Sequence, residues 1–380
     1  MLPLNYAIRN LMRSVSRTFQ VIFSAALVVL LIMSAEAFTR GMNSGLTSNG
    51  NPKNVLIVGA GSEESLQRSQ IAGSSAGIVA ATISGLHSVL GQTAISPEIH
   101  YSGILKMNNT EPEVLYRGIT PGALLVHTQV ELIEGTFPGP GEVMIGRQTH
   151  IYTKVPQADL SVGQNIDFVG NSMTISGIFQ APGTMMESEI WLNANDLMDL
   201  TRRTTYSCIV ATMDDAEFDD IDYFCKQRLD LELAAIPEDV FYSRMATFFK
   251  PIKYMTWLTA ILITIGALFG GLNSMYAAYI SRRKEMATLQ AVGYSRISIF
   301  ASLLQESIIA NVLGTVIAMA LSLFVLNGLT VAFATGVFYL HYDLEVLFLG
   351  LFSGLGLGII GTAVPAWNSL RPSLVSSLRS

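Results

Sequence analysis

Charge is scarce in this sequence. Only 14% of its 380 residues are Asp, Glu, Lys or Arg, while half are hydrophobic. That balance reads as a membrane protein that also carries a water-soluble part. Cysteine is scarcer still: Cys208 and Cys225 stand alone, without a Cys-x-x-Cys or Cys/His cluster. The spacing therefore argues against a structural zinc site. A disulfide between the two is open if their segment lies outside the cytoplasm, but two free buried thiols are the preferred reading. No Gly-x-x-x-x-Gly-Lys-Ser/Thr string occurs, and no glycine precedes any lysine, so a phosphate cradle of that kind is excluded. Basic residues form no dense patch, which argues against nucleic acid as a partner. The histidines (His87, His100, His127, His150, His341) lack metal-ligand spacing, and no Ser–His–acid arrangement is readable from their order. Catalytic, cofactor-binding and metal sites are accordingly not expected.

Four long apolar runs are present. Residues 19–37 form the first, of a length that suits one bilayer crossing. The others cover 253–280, 297–326 and 344–364. Residues 1–18 precede them as an amphipathic helix, with Leu4, Ile8, Leu11, Met12 and Val15 on one face and Arg9, Arg13 and Arg17 on another. Ala35-Glu36-Ala37 resembles a signal-peptidase site, but the long amphipathic preface favours an uncleaved anchor. Gly266 and Gly270 lie one turn apart in the second run, and Gly350, Gly354 and Gly358 line one face of the fourth. Both sets predict close helix packing. Gly356–Gly361 matches Gly-x-Gly-x-x-Gly by letter, but it lies inside an apolar run and reads as packing too.

Between the first two runs, residues 38–252 carry strand-like alternation broken by Gly, Pro and Asn, with helical stretches among them. Residues 38–51 read as a linker, Asn54–Val58 as a buried strand, and 76–90 as a helix. Residues 240–253, with Phe241, Tyr242, Phe248, Phe249, Lys250 and Lys253, read as an anchor at the membrane boundary. The fold class expected is a four-helix membrane protein with an extracytoplasmic α+β domain inserted between helices 1 and 2.

Basic residues set the expected orientation. Residues 1–18, 281–296 and 365–380 hold nine Lys/Arg against one acid, Glu285, whereas residues 37–254 hold 14 Lys/Arg against 24 Asp/Glu. Cytoplasmic loops carry such a basic excess. Both termini and the 281–296 loop are thus placed inside, and the large domain and the 327–343 loop outside. Within 281–296, Met286, Leu289 and Val292 give a short helix one apolar stripe, ended by Gly293, which suits either a partner's docking surface or a solvated linker helix. Glu306 lies inside the third run. An ionisable group at that depth is a functional candidate by default; the alternative is a structural hydrogen bond aided by Gln305 or Asn311.

The order of one span, a large domain and three clustered spans resembles the MacB/FtsX-type (type VII) ABC transporter permeases. Ser281–Arg296, SRRKEMATLQAVGYSR, is similar to that family's basic-acidic loop through Arg282, Arg283, Glu285, Thr288, Leu289, Gly293, Ser295 and Arg296. Leu303–Ser307 is similar to the start of its third span. Pro365-Ala366-Trp367 through Arg379 looks like its tail, with Ser369 and Ser377 in place of the usual alanines. Glu134-Gly135, Gly141-Glu142-Val143 and Gly146 resemble a strand-turn-strand of its domain. The resemblance implies a multi-pass protein of the bacterial cytoplasmic membrane. It implies a separate ATPase subunit that binds ATP and Mg, a second permease chain, a periplasmic adaptor and membrane lipids as partners. It implies coupling to the ATPase through Arg282, Arg283, Glu285, Met286, Leu289, Gly293, Arg296, Pro365, Arg371 and Arg379. The expected function is to convert a partner's ATP hydrolysis into movement of the outer domain, for export or extraction of a lipid-linked, peptide or drug-like substrate. An FtsX-like relay to a cell-wall hydrolase and a lipoprotein-releasing permease are the alternatives.

Overall fold

The computed structural model describes residues 4–107, 110–333 and 336–371. Two compact units divide the chain. One comprises Met1–Arg40, Pro251–Leu329 and Leu340–Ser380; the other comprises Gly41–Lys250 and Thr330–Tyr339.

In the first unit a short helix, α1 (Leu4–Arg13), precedes α2 (Val15–Thr47). Then follow α3 (Lys250–Ser281), α4 (Arg283–Ala291), α5 (Arg296–Leu321, extended by a π turn over Ser322–Leu326) and α6 (Leu344–Leu370). Among the described residues, four helices are long and apolar enough to cross a membrane: α2, α3, α5 with its π turn, and α6. The linker expected over 38–51 is helical as far as Thr47. Its glycines do not break the helix because Met42 and Leu46, one turn apart, are buried. The Thr39 hydroxyl also donates to the Ala35 carbonyl at 2.9 Å. At the other end, α6 does not stop where the tail was expected. It runs through Pro365, which is buried, and the Ser369 hydroxyl donates to the Pro365 carbonyl at 2.7 Å.

Glycine governs how α6 packs. A Cβ on Gly350 would fall 2.5 Å from the Met33 sulfur of α2, one on Gly354 would overlap the Thr315 hydroxyl of α5, and one on Gly358 would press on Asn311. The Ser307 hydroxyl of α5 donates to the Gly358 carbonyl at 3.2 Å, a contact only a bare backbone allows. The same expectation is not met at Gly266 and Gly270, where an added Cβ would meet nothing within 4 Å among the described residues. Their helix, α3, is largely uncovered, with Leu258, Leu262 and Phe269 exposed. Small residues permit a close approach but do not supply the approaching helix.

The second unit is built on a mixed ten-stranded sheet. Its strands are β1 (Asn54–Gly59), β2 (Ile95–Lys106), β3 (Glu113–Ile119), β4 (Glu131–Gly135), β5 (Glu142–Gly146), β6 (Asn165–Phe168), β7 (Asn171–Gln180), β8 (Ile190–Asn193), β9 (Cys208–Thr212) and β10 (Leu233–Pro237). The spatial order is β10-β1-β9-β2-β3-β8-β5-β7-β4, with β6 paired to β7 and β2. All six residues of β1 are buried, so its apolar run Val55–Val58 marks a strand covered on both faces. The helix expected over 76–90 is shorter, Ser75–Thr82. Leu90 then sits at φ 52° and fully exposed beside Gly91, at the tip of a small hairpin pairing Ser88–Val89 with Gln92–Thr93. Phe241 and Tyr242 are not boundary anchors. Both are buried in the unit's core beside Leu56, Val58 and Cys208. The loop expected over 327–343 contains a hairpin, β11 (Thr330–Phe333) and β12 (Gly336–Tyr339), which packs within this second unit. There the Tyr339 hydroxyl meets Glu187 at 3.3 Å. Cys208 and Cys225 are both free and buried.

A run of charge crosses the middle of the sheet with almost no exposure. Arg117 of β3 donates to Glu98 at 2.8 Å and to both carboxylate oxygens of Glu189 at 2.7 and 2.8 Å. His127 meets Glu98 at 2.8 Å, and the Trp191 indole donates to Glu189 at 2.7 Å. Burial pushes the Glu98 carboxyl upward, but His127 and Arg117 outweigh it and hold the group well below its usual range. Glu189 is lowered in the same way, burial being outweighed by Arg117. Removing one partner of a buried pair strands the others. Arg117→Met should therefore cost about 3–5 kcal/mol, read as a lower unfolding temperature of the detergent-solubilised chain. An unchanged unfolding temperature would show that the two carboxylates do not need the guanidinium. Gly354→Ala should destabilise by about 1–3 kcal/mol through overpacking, and adding Thr315→Ala should recover part of that loss. No recovery would mean that the clash lies elsewhere.

Candidate functional site

The region that the sequence marks for chemistry or coupling, residues 281–306, folds back on itself at one end of the first unit. Helix α3 ends at Ser281, α4 begins at Arg283, and Gly293 at φ 106° terminates the turn. Ser295 then caps α5, its hydroxyl accepting from the Ser298 amide at 3.2 Å. Only a glycine adopts that φ without strain, so the two helices meet at a fixed corner.

Glu306 lies on α5 at 9% side-chain exposure and is ringed by donors from three other segments. Arg17 of α2 reaches it at 2.9 Å. Arg282, at the α3–α4 corner, reaches it at 3.1 Å. The Asn10 side-chain amide of α1 donates to it as well. The partners expected for Glu306, Gln305 and Asn311, are not the ones it uses: Asn311 instead donates to the Ser307 carbonyl at 2.9 Å. Arg282 extends the cluster to Glu285 at 3.3 Å, and Arg13 meets Glu285 at 3.2 Å. Glu285 is 42% exposed and Arg13 75%, so this outer rim contributes little. The inner group differs, because a carboxylate in apolar surroundings is tolerated only when paired. Local spacing holds no trace of the pairing, since Asn10 and Arg17 lie 296 and 289 residues away.

The apolar stripe of α4 points inward. Met286 is buried against Tyr279, Ile299, Leu303, Ala366 and Leu370, with Leu289 half-buried beside it. Val292, expected on the same face, is 73% exposed. The outward face of this corner instead carries Lys284, Thr288, Val292 and Arg296. Arg283 is half-buried, and its Nε has no hydrogen-bond partner among the described residues. Pro365 lies buried one turn before Ser369, Arg371 is exposed, and Arg379 lies outside the described residues.

Deeper in the helices a cavity of about 340 Å³ opens between α2, α3, α5 and α6. Gly270 and Gly271 form part of its wall, and Ser24, Ser274, Asn311 and Thr362 give it uncharged polar groups. The glycines of α3 thus border space rather than a neighbouring helix.

Residues 257–374 match the family described as FtsX-like permease C-terminal, and residues 19–221 match the MacB-like periplasmic core domain. No curated protein matches the chain. Among solved structures, the periplasmic region of MacB from Actinobacillus actinomycetemcomitans aligns at 12% identity and a TM-score of 0.40, covering 52% of this chain and 94% of that one. The extracellular domain of the noncanonic ABC-type transporter YknZ from Gram-positive bacteria aligns at 13% identity and a TM-score of 0.36, covering 48% and 99%. The two family matches span both the α/β domain and the clustered helices, and on them this chain belongs to the MacB/FtsX-type permeases of ABC transporters.

Proposed function

We propose that this permease converts ATP hydrolysis by a separate ATPase subunit into movement of its α/β domain, for export or extraction of a lipid-linked, peptide or drug-like substrate. The observation that carries the reading is the Glu306 cluster. It fastens α1, α2, the α3–α4 corner and α5 to one carboxylate, so a push on α4 is delivered to several helices together. The Lys284, Thr288, Val292 and Arg296 face meets the ATPase in this scheme, and Met286 and Leu289 transmit the load inward. The chain itself binds no nucleotide; ATP and Mg belong to the partner. Both termini and the 281–296 corner lie in the cytoplasm and the α/β domain outside, following the basic excess of the former. A second permease chain covers the bare side of α3, and a periplasmic adaptor completes the assembly. The cavity between α2, α3, α5 and α6, polar but uncharged, suits the polar part of a membrane lipid. A domain of about 200 residues favours export or extraction over relay to a wall hydrolase.

Reconstitution with the cognate ATPase tests this. Val292→Glu should lower permease-stimulated ATP hydrolysis about tenfold while leaving the unfolding temperature unchanged. Glu306→Gln should lower both, since it leaves Arg17 and Arg282 facing a neutral amide, at a cost of about 3–5 kcal/mol. Full stimulation by the Val292 variant would move the docking face elsewhere. Full stimulation by a destabilised Glu306 variant would remove the cluster from the transmission path.

A further inference from the structure

The middle of the sheet holds a second arrangement, which shares Glu98 with the charge run and which the permease role does not account for. Cys208 of β9 lies directly across from Glu98 of β2 in the antiparallel register. His100 lies two residues beyond Glu98 and therefore on the same face of the sheet. One ligating atom from each of the three, a carboxylate oxygen, an imidazole nitrogen and a sulfur, falls within 4.8 Å of the other two. All three are buried, at 0%, 4% and 0% exposure.

His100 is the telling member. Its Nε2 is buried and has no hydrogen-bond partner among the described residues, its polar neighbour being Glu98 Oε2 at 3.6 Å. That is too long for a hydrogen bond, which closes to about 2.7–3.2 Å. It is close to the edge of a tetrahedron, about 3.3 Å for ligands held about 2.0–2.1 Å from a zinc ion. A buried polar atom without a hydrogen bond is costly and calls for a partner.

From this geometry we infer that Glu98, His100 and Cys208 form a binding site for a divalent transition metal, with zinc the ion best suited to one sulfur, one nitrogen and one oxygen donor. Binding replaces the Cys208 thiol proton by the metal: the S–H bond breaks, the sulfur keeps the electron pair and bonds the ion, and the proton leaves to solvent. The remaining carboxylate contacts are those of an outer shell that orients a ligand: His127 at 2.8 Å on Glu98 Oε1 and Arg117 at 2.8 Å on Oε2. Sequence spacing concealed the site, because its members come from two strands that only the fold makes neighbours. With so little exposure, the ion enters as the domain folds.

Metal analysis of the full-length protein, purified in detergent after growth with added zinc, tests the inference. The native chain should retain about one zinc, and growth with cobalt should give a thiolate-to-cobalt charge-transfer band in the near ultraviolet. Cys208→Ser and His100→Ala should lose the band and at least tenfold of the metal, while Cys225→Ser keeps both. A native chain without metal or band overturns the site, as does a Cys208 variant that retains them. Should the Cys208 variant fail to fold, the cobalt band of the native chain and its persistence in Cys225→Ser decide the matter.

Discussion

One buried carboxylate sets the terms for the membrane unit. Glu306 sits among apolar helices, where an unpaired charge is not tolerated, and the chain satisfies it from three directions at once. Each donor is fixed by an element that cannot move alone. Arg17 is on a span, Asn10 is on the amphipathic helix before it, and Arg282 is at the corner between α3 and α4. The apolar cluster around Met286 and Tyr279 surrounds the same corner, so polar and apolar contacts act on the same joint. Solvated ion pairs such as Arg13–Glu285 form a rim of little energetic weight. What makes the corner stiff is a small number of desolvated contacts rather than the many basic residues that first mark it.

The α/β unit repeats that logic in the middle of its sheet. Arg117 holds two carboxylates and lies over the Trp191 ring at 5.3 Å. The polar run spans β2, β3 and the approach to β8, with apolar clusters on either side. Such a network specifies register, because a slip of one residue along β2 would turn Glu98 and His100 to the other face of the sheet. The charges therefore help select one pairing of strands from several that hydrophobic alternation alone would allow.

Periodicity made much of this architecture readable. The apolar runs gave the spans, and the apolar run within Asn54–Val58 marked β1. Composition misled where an element is stabilised from outside itself. Residues 38–47, rich in Gly, Ser, Asn and Thr, are helical because Met42 and Leu46 find a core. Phe241 and Tyr242 resemble interface anchors by type but are buried by the sheet beside them. The direction of a stripe was also hidden: Met286 and Leu289 have the spacing of a docking face, and spacing cannot say whether the covering surface belongs to the same chain. Long-range partners such as Arg17 for Glu306 or Cys208 for Glu98 leave no local trace at all.

The hairpin between α5 and α6 changes what counts as the domain. Val337 and Phe338 are buried within the second unit, where Phe338 lies on the bare backbone of Gly45 and Gly336 packs beside Met185. A fragment cut to the continuous stretch 41–250 would therefore be an incomplete body, its hydrophobic seat for two large side chains opened to water. The unit is a discontinuous fold, assembled only after synthesis has passed residue 339. Its completion during translation waits on a helix that belongs to the membrane.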